Sequence, residues 1–183
     1  MKVIGNPFGD VLVLQPTVHS DCRGFFYECY SEKESAAAMS NFSIKQVNHS
    51  FSAKTNTFRG LHLQKGNASQ SFIVSVMIGR ILDFVVDVRV GSSTFLKTYS
   101  QELSDDNRYQ IFVPKGFAHG FLTLTDNVHM LYKMDNLYDP ANEVFLNVFD
   151  PGLNIDLGVE NDQLIMSERD RSAPFAGNLD LIF

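Results

Sequence analysis

The chain has no tryptophan and only two cysteines, Cys22 and Cys29, in 183 residues. Two thiols cannot build a disulfide framework or a four-cysteine zinc site, so the pair is expected to be reduced and structural. Cations are also scarce. Fifteen Lys+Arg against 21 Asp+Glu leave a net charge of −6, which argues against nucleic-acid binding through a basic footprint. Long apolar runs are missing as well, each being interrupted within about ten residues, so no membrane span is expected. Near the start, Lys2 is followed only by the short run Val11–Leu14, behind Asp10. No signal peptide is expected, and a reducing cytoplasm is the default compartment. Internal repeats, low-complexity tracts and linker-like stretches are absent, so residues 1–183 read as one domain, long enough to bury a core without staples.

What the chain does have is strand-forming sequence. Sixteen Phe and six Tyr accompany short Val/Ile runs separated by Gly, Asn, Asp and Ser. Phe72–Ile78 and Ile81–Val90 read as two strands joined by a tight turn at Gly79-Arg80. In the second, Leu82, Phe84, Val86, Val88 and Val90 share one face, and Asp83, Val85, Asp87 and Arg89 the other. Solvent and a polar cavity are about equally good destinations for that polar face. Further strands are expected at Val11–Leu14, Phe25–Cys29, Lys45–Ser50, Gly60–Gln64, Tyr99–Glu102, Gln110–Val113, Gly120–Thr125, Val128–Met134 and Val144–Val148, with Asp126-Asn127 as a hairpin turn. Helix is expected only at Ser31–Met39, opened by a Ser31/Glu34 capping box, and as a short turn at Asn161–Ile165. The tail after Arg171 reads as an extended surface segment. Many short strands between turn signals indicate an all-β sandwich or barrel.

Five histidines are the first candidates for chemistry. His62 lies in Arg59-Gly60-Leu61-His62-Leu63-Gln64, where strict alternation separates Arg59 from His62 unless Gly60 supplies a bulge. His119 lies between aromatics and beside Gly120, which permits close approach of backbone or ligand. A metal site is not expected, because no H-x-H pair occurs and three or four convergent ligands would be needed. Tyr132 shares a strand face with Val128, Met130 and Met134, as a core tyrosine would. Gln46, Asn48, Ser50 and Ser52 alternate onto one face, as a pocket wall or a wet sheet surface would. Arg23 and Glu28 flank an aromatic strand, where a surface ion pair is the plainest role. These residues alone give an all-β domain in which a polar cavity is one option.

A resemblance sharpens this. Asp21-x-Arg23-Gly24-x-Phe26-x-Glu28, Gln46-x-Asn48-x-Ser50, Arg59-Gly60-Leu61-His62-x-Gln64, Gly79-x-x-x-Asp83-x-x-Val86-Asp87-x-Arg89, Leu103-Ser104-x-x-Asn107, Pro114-x-Gly116-Phe117-Ala118-His119-Gly120-Phe121, Tyr132-Lys133 and Tyr138-x-Pro140-x-x-Glu143 occur in order. Together they resemble the dTDP-4-dehydrorhamnose 3,5-epimerase family over about Val11 to Asp170. The resemblance implies a cupin-like double-sheet (jelly-roll) barrel with few short helices, a homodimer, and no metal or organic cofactor. It implies a dTDP-linked 4-dehydro-6-deoxyhexose as substrate, deprotonated beside the C4 ketone at C3 and C5 and reprotonated from the opposite ring face. By resemblance His62 is the base, Asp170 the carboxylate that orients it, and Tyr132 the acid. Arg23, Glu28, Asn48, Arg59, His119, Tyr138, Glu143 and Arg169 match substrate-contacting positions.

Phe72 departs from the pattern, standing where the family usually has a lysine near the reacting ketone. Loss of one such donor can cost roughly 10²–10³ in rate. This leaves room for Arg59 or Lys65 in the role, for a ring packed by Phe72 against another nucleotide-linked 4-keto sugar, for a single-position epimerase or ketoisomerase, and for a non-catalytic sugar-nucleotide-binding cupin. Arg169 stands where Lys is common and Leu137 where a second Tyr is common. Val148 and Leu157 stand where Trp often occurs.

Overall fold

The computed structural model describes every residue except 34–38, 40, 41 and 180–183. Among the described residues the strands are β1 (Lys2–Gly5), β2 (Leu12–Gln15), β3 (His19–Asp21), β4 (Gly24–Phe26), β5 (Gln46–Ser52), β6 (Phe58–Gln64), β7 (Phe72–Ile78), β8 (Arg80–Asp87), β9 (Thr98–Ser104), β10 (Gln110–Val113), β11 (Phe117–Thr123), β12 (Val128–Met134) and β13 (Glu143–Phe145). A six-stranded sheet runs β1-β2-β10-β7-β12-β5, and a five-stranded sheet runs β13-β6-β11-β8-β9. Their ladders are antiparallel. The all-β, cupin-like double sheet expected from the sequence is therefore what forms. One helix, α1 (Glu168–Arg171), follows the strands, capped by the Ser167 hydroxyl.

Most strand segments fall where the sequence pattern puts them. The strands expected at Phe25–Cys29 and Val144–Val148 form only as β4 and β13, β8 ends at Asp87, and β1 and β3 are unexpected. Two connections also differ. Phe72–Ile78 and the strand after it do not pair with each other; β7 lies in one sheet and β8 in the other. The Asp126-Asn127 turn likewise joins β11 to β12 across the two sheets. Alternation sets which residues are apolar but not which sheet a strand joins. Here both turns are corners, and they pack on each other: a Cβ on Gly79 would meet Thr125 Oγ1 at 2.7 Å.

Between the sheets lies a dry layer containing Val74, Val76, Val85, Phe117, Phe121, Val128 and Met130, all at most 2% exposed. Burying each such side chain contributes about 1.5–3 kcal/mol. The opposite face of the five-stranded sheet is covered too. Phe84, Val86, Ala118 and Leu122 pack under Leu146, Val148, Leu153, Leu164 and Ala176. The tail after Arg171 runs over the surface as expected, with Ala173 and Ala176 anchored in the core and most of its other described residues exposed. The Asn147 carboxamide fastens it by donating to the Ala173 carbonyl at 2.8 Å.

With both faces of β8 covered, its carboxylates cannot face solvent, and Asp83 and Asp87 are both fully buried. Asp87 closes a loop by accepting from Arg89, Ser92 and Thr94. Burial pushes the Asp87 carboxyl up, but these bonds outweigh it and hold the group ionised. Asn161–Ile165 forms a turn, with Ile165 bridged to Thr57, and no helix. The helix expected at Ser31–Met39 lies largely outside the described residues.

Gly60 and Gly120 lie back to back where β6 crosses β11. A Cβ on Gly60, whose φ is +125°, would sit 2.6 Å from Gly120 Cα and 2.8 Å from the His119 carbonyl. The neighbouring register shift in this pair is the bulge that the Arg59/His62 spacing requires. Gly60→Ala should destabilise the chain by about 2 kcal/mol or more, through overpacking and backbone strain. Gly177→Ala, with open space around it, should stay within about 0.5 kcal/mol. Denaturant melts of the two variants check this, and equal stability would contradict the crossing geometry.

Candidate active site

The two sheets part at one end around a cavity of about 430 Å³. The five-stranded sheet contributes Arg59, His62, Gln64 and His119 to its wall, and the six-stranded sheet contributes Asn48, Ser50, Phe72, Tyr132 and Met134. Gln70, Tyr138, Glu143, Ser167, Arg169 and Asp170 complete its rim and floor. Asn48 and Ser50, the middle of the polar alternation of β5, are therefore part of a pocket wall. Tyr132 looks core-like in sequence because its strand face is the inter-sheet face, and the cavity is continuous with that core.

His62 and His119 are direct partners across the β6–β11 ladder. Each imidazole is tied through Nε2 to a carboxylate. His62 Nε2 lies 2.6 Å from Asp170 Oδ1, and His119 Nε2 lies 2.7 Å from Asp83 Oδ2. The two pairs differ electrically. Burial pushes the Asp170 carboxyl up, but bonds from His62, Ser167 and the Gly60 amide outweigh it, and its pKa lies below 3.8. Asp83 is more deeply enclosed and its second oxygen, Oδ1, has no partner, so burial dominates over the attraction of His119 and its pKa is raised.

Tyr132 stands edge-to-face against His119, with ring centroids 6.1 Å apart, and Phe72 meets the same imidazole at 5.2 Å. Burial, and then the Asp83 charge, drive the Tyr132 pKa well above that of a free phenol, so its hydroxyl keeps its proton at neutral pH. Arg59 is aimed by Ser52 Oγ, which accepts from its Nε at 3.2 Å, and by the Phe51 carbonyl. At the rim, the Tyr138 hydroxyl donates to Glu143 Oε2 at 2.8 Å, and the same oxygen lies 3.5 Å from Arg169 Nη1.

Of the residues singled out in the sequence, His62, Tyr132, Asp170, Asn48, Arg59, Phe72, His119, Tyr138, Glu143 and Arg169 meet at this cavity. Arg23 and Glu28 do not. Arg23 sits on the separate β3–β4 hairpin, exposed and paired with Asp21 at 2.6 Å. Glu28 lines a different cleft, with Met1, Pro16, Thr17, His19, Phe26 and Ser31. Sequence reasoning named no role for Gln64, Gln70 or Ser167. Ser167 was detectable as the Ser before the Glu-Arg-Asp-Arg run, and Gln64 and Gln70 by their places in the motif strings around His62 and Phe72.

A model of the dTDP-4-dehydrorhamnose 3,5-epimerase family matches residues 6–177. The chain belongs to this family. It is 40% identical over 171 residues to the dTDP-4-dehydrorhamnose 3,5-epimerase of Escherichia coli K12, covering 93% of this chain and 91% of that one. The Bacillus anthracis dTDP-4-dehydrorhamnose 3,5-epimerase, solved with TDP and pyrophosphate, superposes with a TM-score of 0.91 at 40% identity, over 95% of this chain and 98% of that one. The Legionella pneumophila dTDP-6-deoxy-D-glucose-3,5-epimerase, solved with dTDP-4-keto-L-rhamnose, gives a TM-score of 0.93 at 33% identity, over 98% and 94%. Both of these solved epimerases thus share this fold over nearly the whole chain. No described helix is long and apolar enough to cross a membrane.

The low Asp170 pKa sets a pH dependence. A carboxylate depressed by folding stabilises the native state fully above 3.8, and that contribution is lost as pH falls through the native value. Asp170→Asn should therefore cost about 1–3 kcal/mol at pH 7. The difference from the parent chain should shrink below the ordinary carboxylate range. Urea melts at neutral pH and at a series of acid pH values read this directly, and a gap independent of pH would show that folding does not depress the Asp170 carboxyl.

Proposed function

We propose that this chain is a nucleotide-sugar epimerase that inverts C3 and C5 of a dTDP-linked 4-dehydro-6-deoxyhexose. One observation carries the reading. An imidazole tied to an ionised carboxylate and a phenol kept protonated stand on different sheets around a single cavity. A hexose bound between them exposes opposite ring faces to the two groups.

The C4 ketone acidifies the neighbouring C–H bonds. His62 takes a proton from carbon, the C–H electron pair shifts to form the enolate, and charge collects on the ketone oxygen. Asp170 stabilises the imidazolium that results. The Tyr132 hydroxyl then delivers its proton to the same carbon from the other face, as the C=O bond re-forms. Exchange with solvent returns His62 and Tyr132 to their starting states. Arg59 supplies charge for the diphosphate on a protein whose net charge of −6 otherwise repels it. Asn48, His119, Tyr138, Glu143 and Arg169 are assigned to substrate contact by their places around the cavity, and Phe72 as an apolar wall at the sugar.

Arg23 and Glu28 enter this reading through a homodimer. The hairpin that carries Arg23 exposes Phe25 and Phe26 (58% and 68%), and the edge strand β5 exposes Val47 and Phe51 (56% and 47%). Exposed aromatics beside an unpaired strand edge suit association with a second copy, whose hairpin would bring Arg23 to this cavity. The free thiols of Cys22 and Cys29 suit a cytoplasmic enzyme.

Phe72 favours a second reading, inversion at one carbon only, because the wall beside His119 presents a ring in place of a cation. NMR in deuterated water with dTDP-4-dehydro-6-deoxyglucose separates the two. The first reading predicts deuterium at C3 and C5, and the second at one of them. His62→Ala should lower exchange by at least about 10²-fold. Tyr132→Phe should leave exchange on the base side while inverted product falls. Exchange that survives His62→Ala would overturn the assignment.

A further inference from the structure

We infer that Phe145, which stands outside the cavity wall, is a positioning residue for His62, and that Arg169 is the clamp that holds Phe145 in place. The inference rests on the epimerase reading above.

The bond from Nε2 to Asp170 fixes only one corner of the imidazole. The side chain is about one-third exposed toward the cavity, so that side of the ring is not held by protein packing. Proton transfer from carbon tolerates such motion poorly, since a misplacement of about 1 Å can cost on the order of 10²-fold in rate. The second restraint comes from the neighbouring strand. Phe145 is the direct β13 partner of His62 on β6, and its ring meets the imidazole edge-to-face with centroids 4.8 Å apart.

A half-buried aromatic on a three-residue edge strand is itself a weak wall. Arg169 corrects that. Its guanidinium lies over the Phe145 ring, 4.3 Å from the centroid. Glu143, two residues before Phe145 on the same strand, holds the guanidinium from the side at 3.5 Å. Arg169 and Asp170 are consecutive residues of α1. One short helix thus fixes the imidazole twice, directly through the carboxylate and indirectly through a stacked ring. A planar guanidinium can stack on a ring as well as pair with Glu143, whereas a lysine ammonium only approaches as a point charge.

The test joins kinetics to NMR of the His62 ring protons in the full chain. Phe145→Ala should lower kcat at least about 10-fold with KM changed less than about twofold, and should abolish the ring-current displacement of the His62 ring signals. Phe145→Tyr should restore both, and Arg169→Lys should give an intermediate displacement and an intermediate kcat. Unchanged kcat in Phe145→Ala, or a fall matched by a rise in KM, would overturn the inference. So would His62 signals that do not move, whatever the activity. If Phe145→Ala fails to fold, the Arg169→Lys pair of readouts decides in the same way. Absence of any solvent exchange or turnover by the parent chain would instead overturn the epimerase reading, and the NMR arm on the parent and Phe145→Ala would still judge whether Phe145 holds the ring.

Discussion

The bond between the His62 imidazole and the Asp170 carboxylate spans 108 positions of sequence, and much of the chain's course serves to close it. Asp170 reaches β6 only because the segment after β13 covers the outer face of the five-stranded sheet. Leu146, Val148, Leu153, Leu164 and Ala176 supply the apolar surface that pins it there. Asn147 and the Thr57–Ile165 bridge fix its path. A carboxylate this buried is tolerated because hydrogen bonds from a ring nitrogen, a hydroxyl and an amide offset its lost hydration. The same bonds orient the imidazole, so packing of the tail and readiness of the base are one property.

The second constraint is that the cavity lies between two sheets. Each sheet turns one residue in two toward the other. Groups on β5, β7 and β12 therefore meet groups on β6 and β11 from opposite sides without any loop to carry them. That suits chemistry in which a proton leaves one face of a ring and another arrives at the opposite face. The buried Asp83–His119 pair flanks both groups, with His119 the ladder partner of His62 and its ring edge-to-face with Tyr132, and the Asp83 charge helps keep the phenol protonated.

Sequence carried the strands well, since period-2 alternation is a local property and β7, β10 and β12 have the ends their sequence indicates. It did not carry sheet membership. The turns at Gly79 and at Asp126-Asn127 have hairpin chemistry but serve as corners, because which sheet a strand joins is decided by packing of distant layers. Whether Asp83 and Asp87 face solvent or a polar interior stayed open for the same reason: the cover over β8 comes from residues more than fifty positions away. Within the site, motif resemblance found the groups with distinctive chemistry. It could not place Arg23 and Glu28 relative to the cavity, and it gave Phe145 no role, because its contact with His62 exists only through the β6–β13 register.

The account stands on a hexose lying between position 62 and position 132. A crystal structure of the chain with a dTDP-linked 6-deoxyhexose bound tests this most directly. The sugar ring should lie in the cavity with the free face of the His62 imidazole against one side of C3 or C5 and the Tyr132 hydroxyl against the other. A sugar bound outside the cavity, or one with both groups on the same side of its ring, would contradict it.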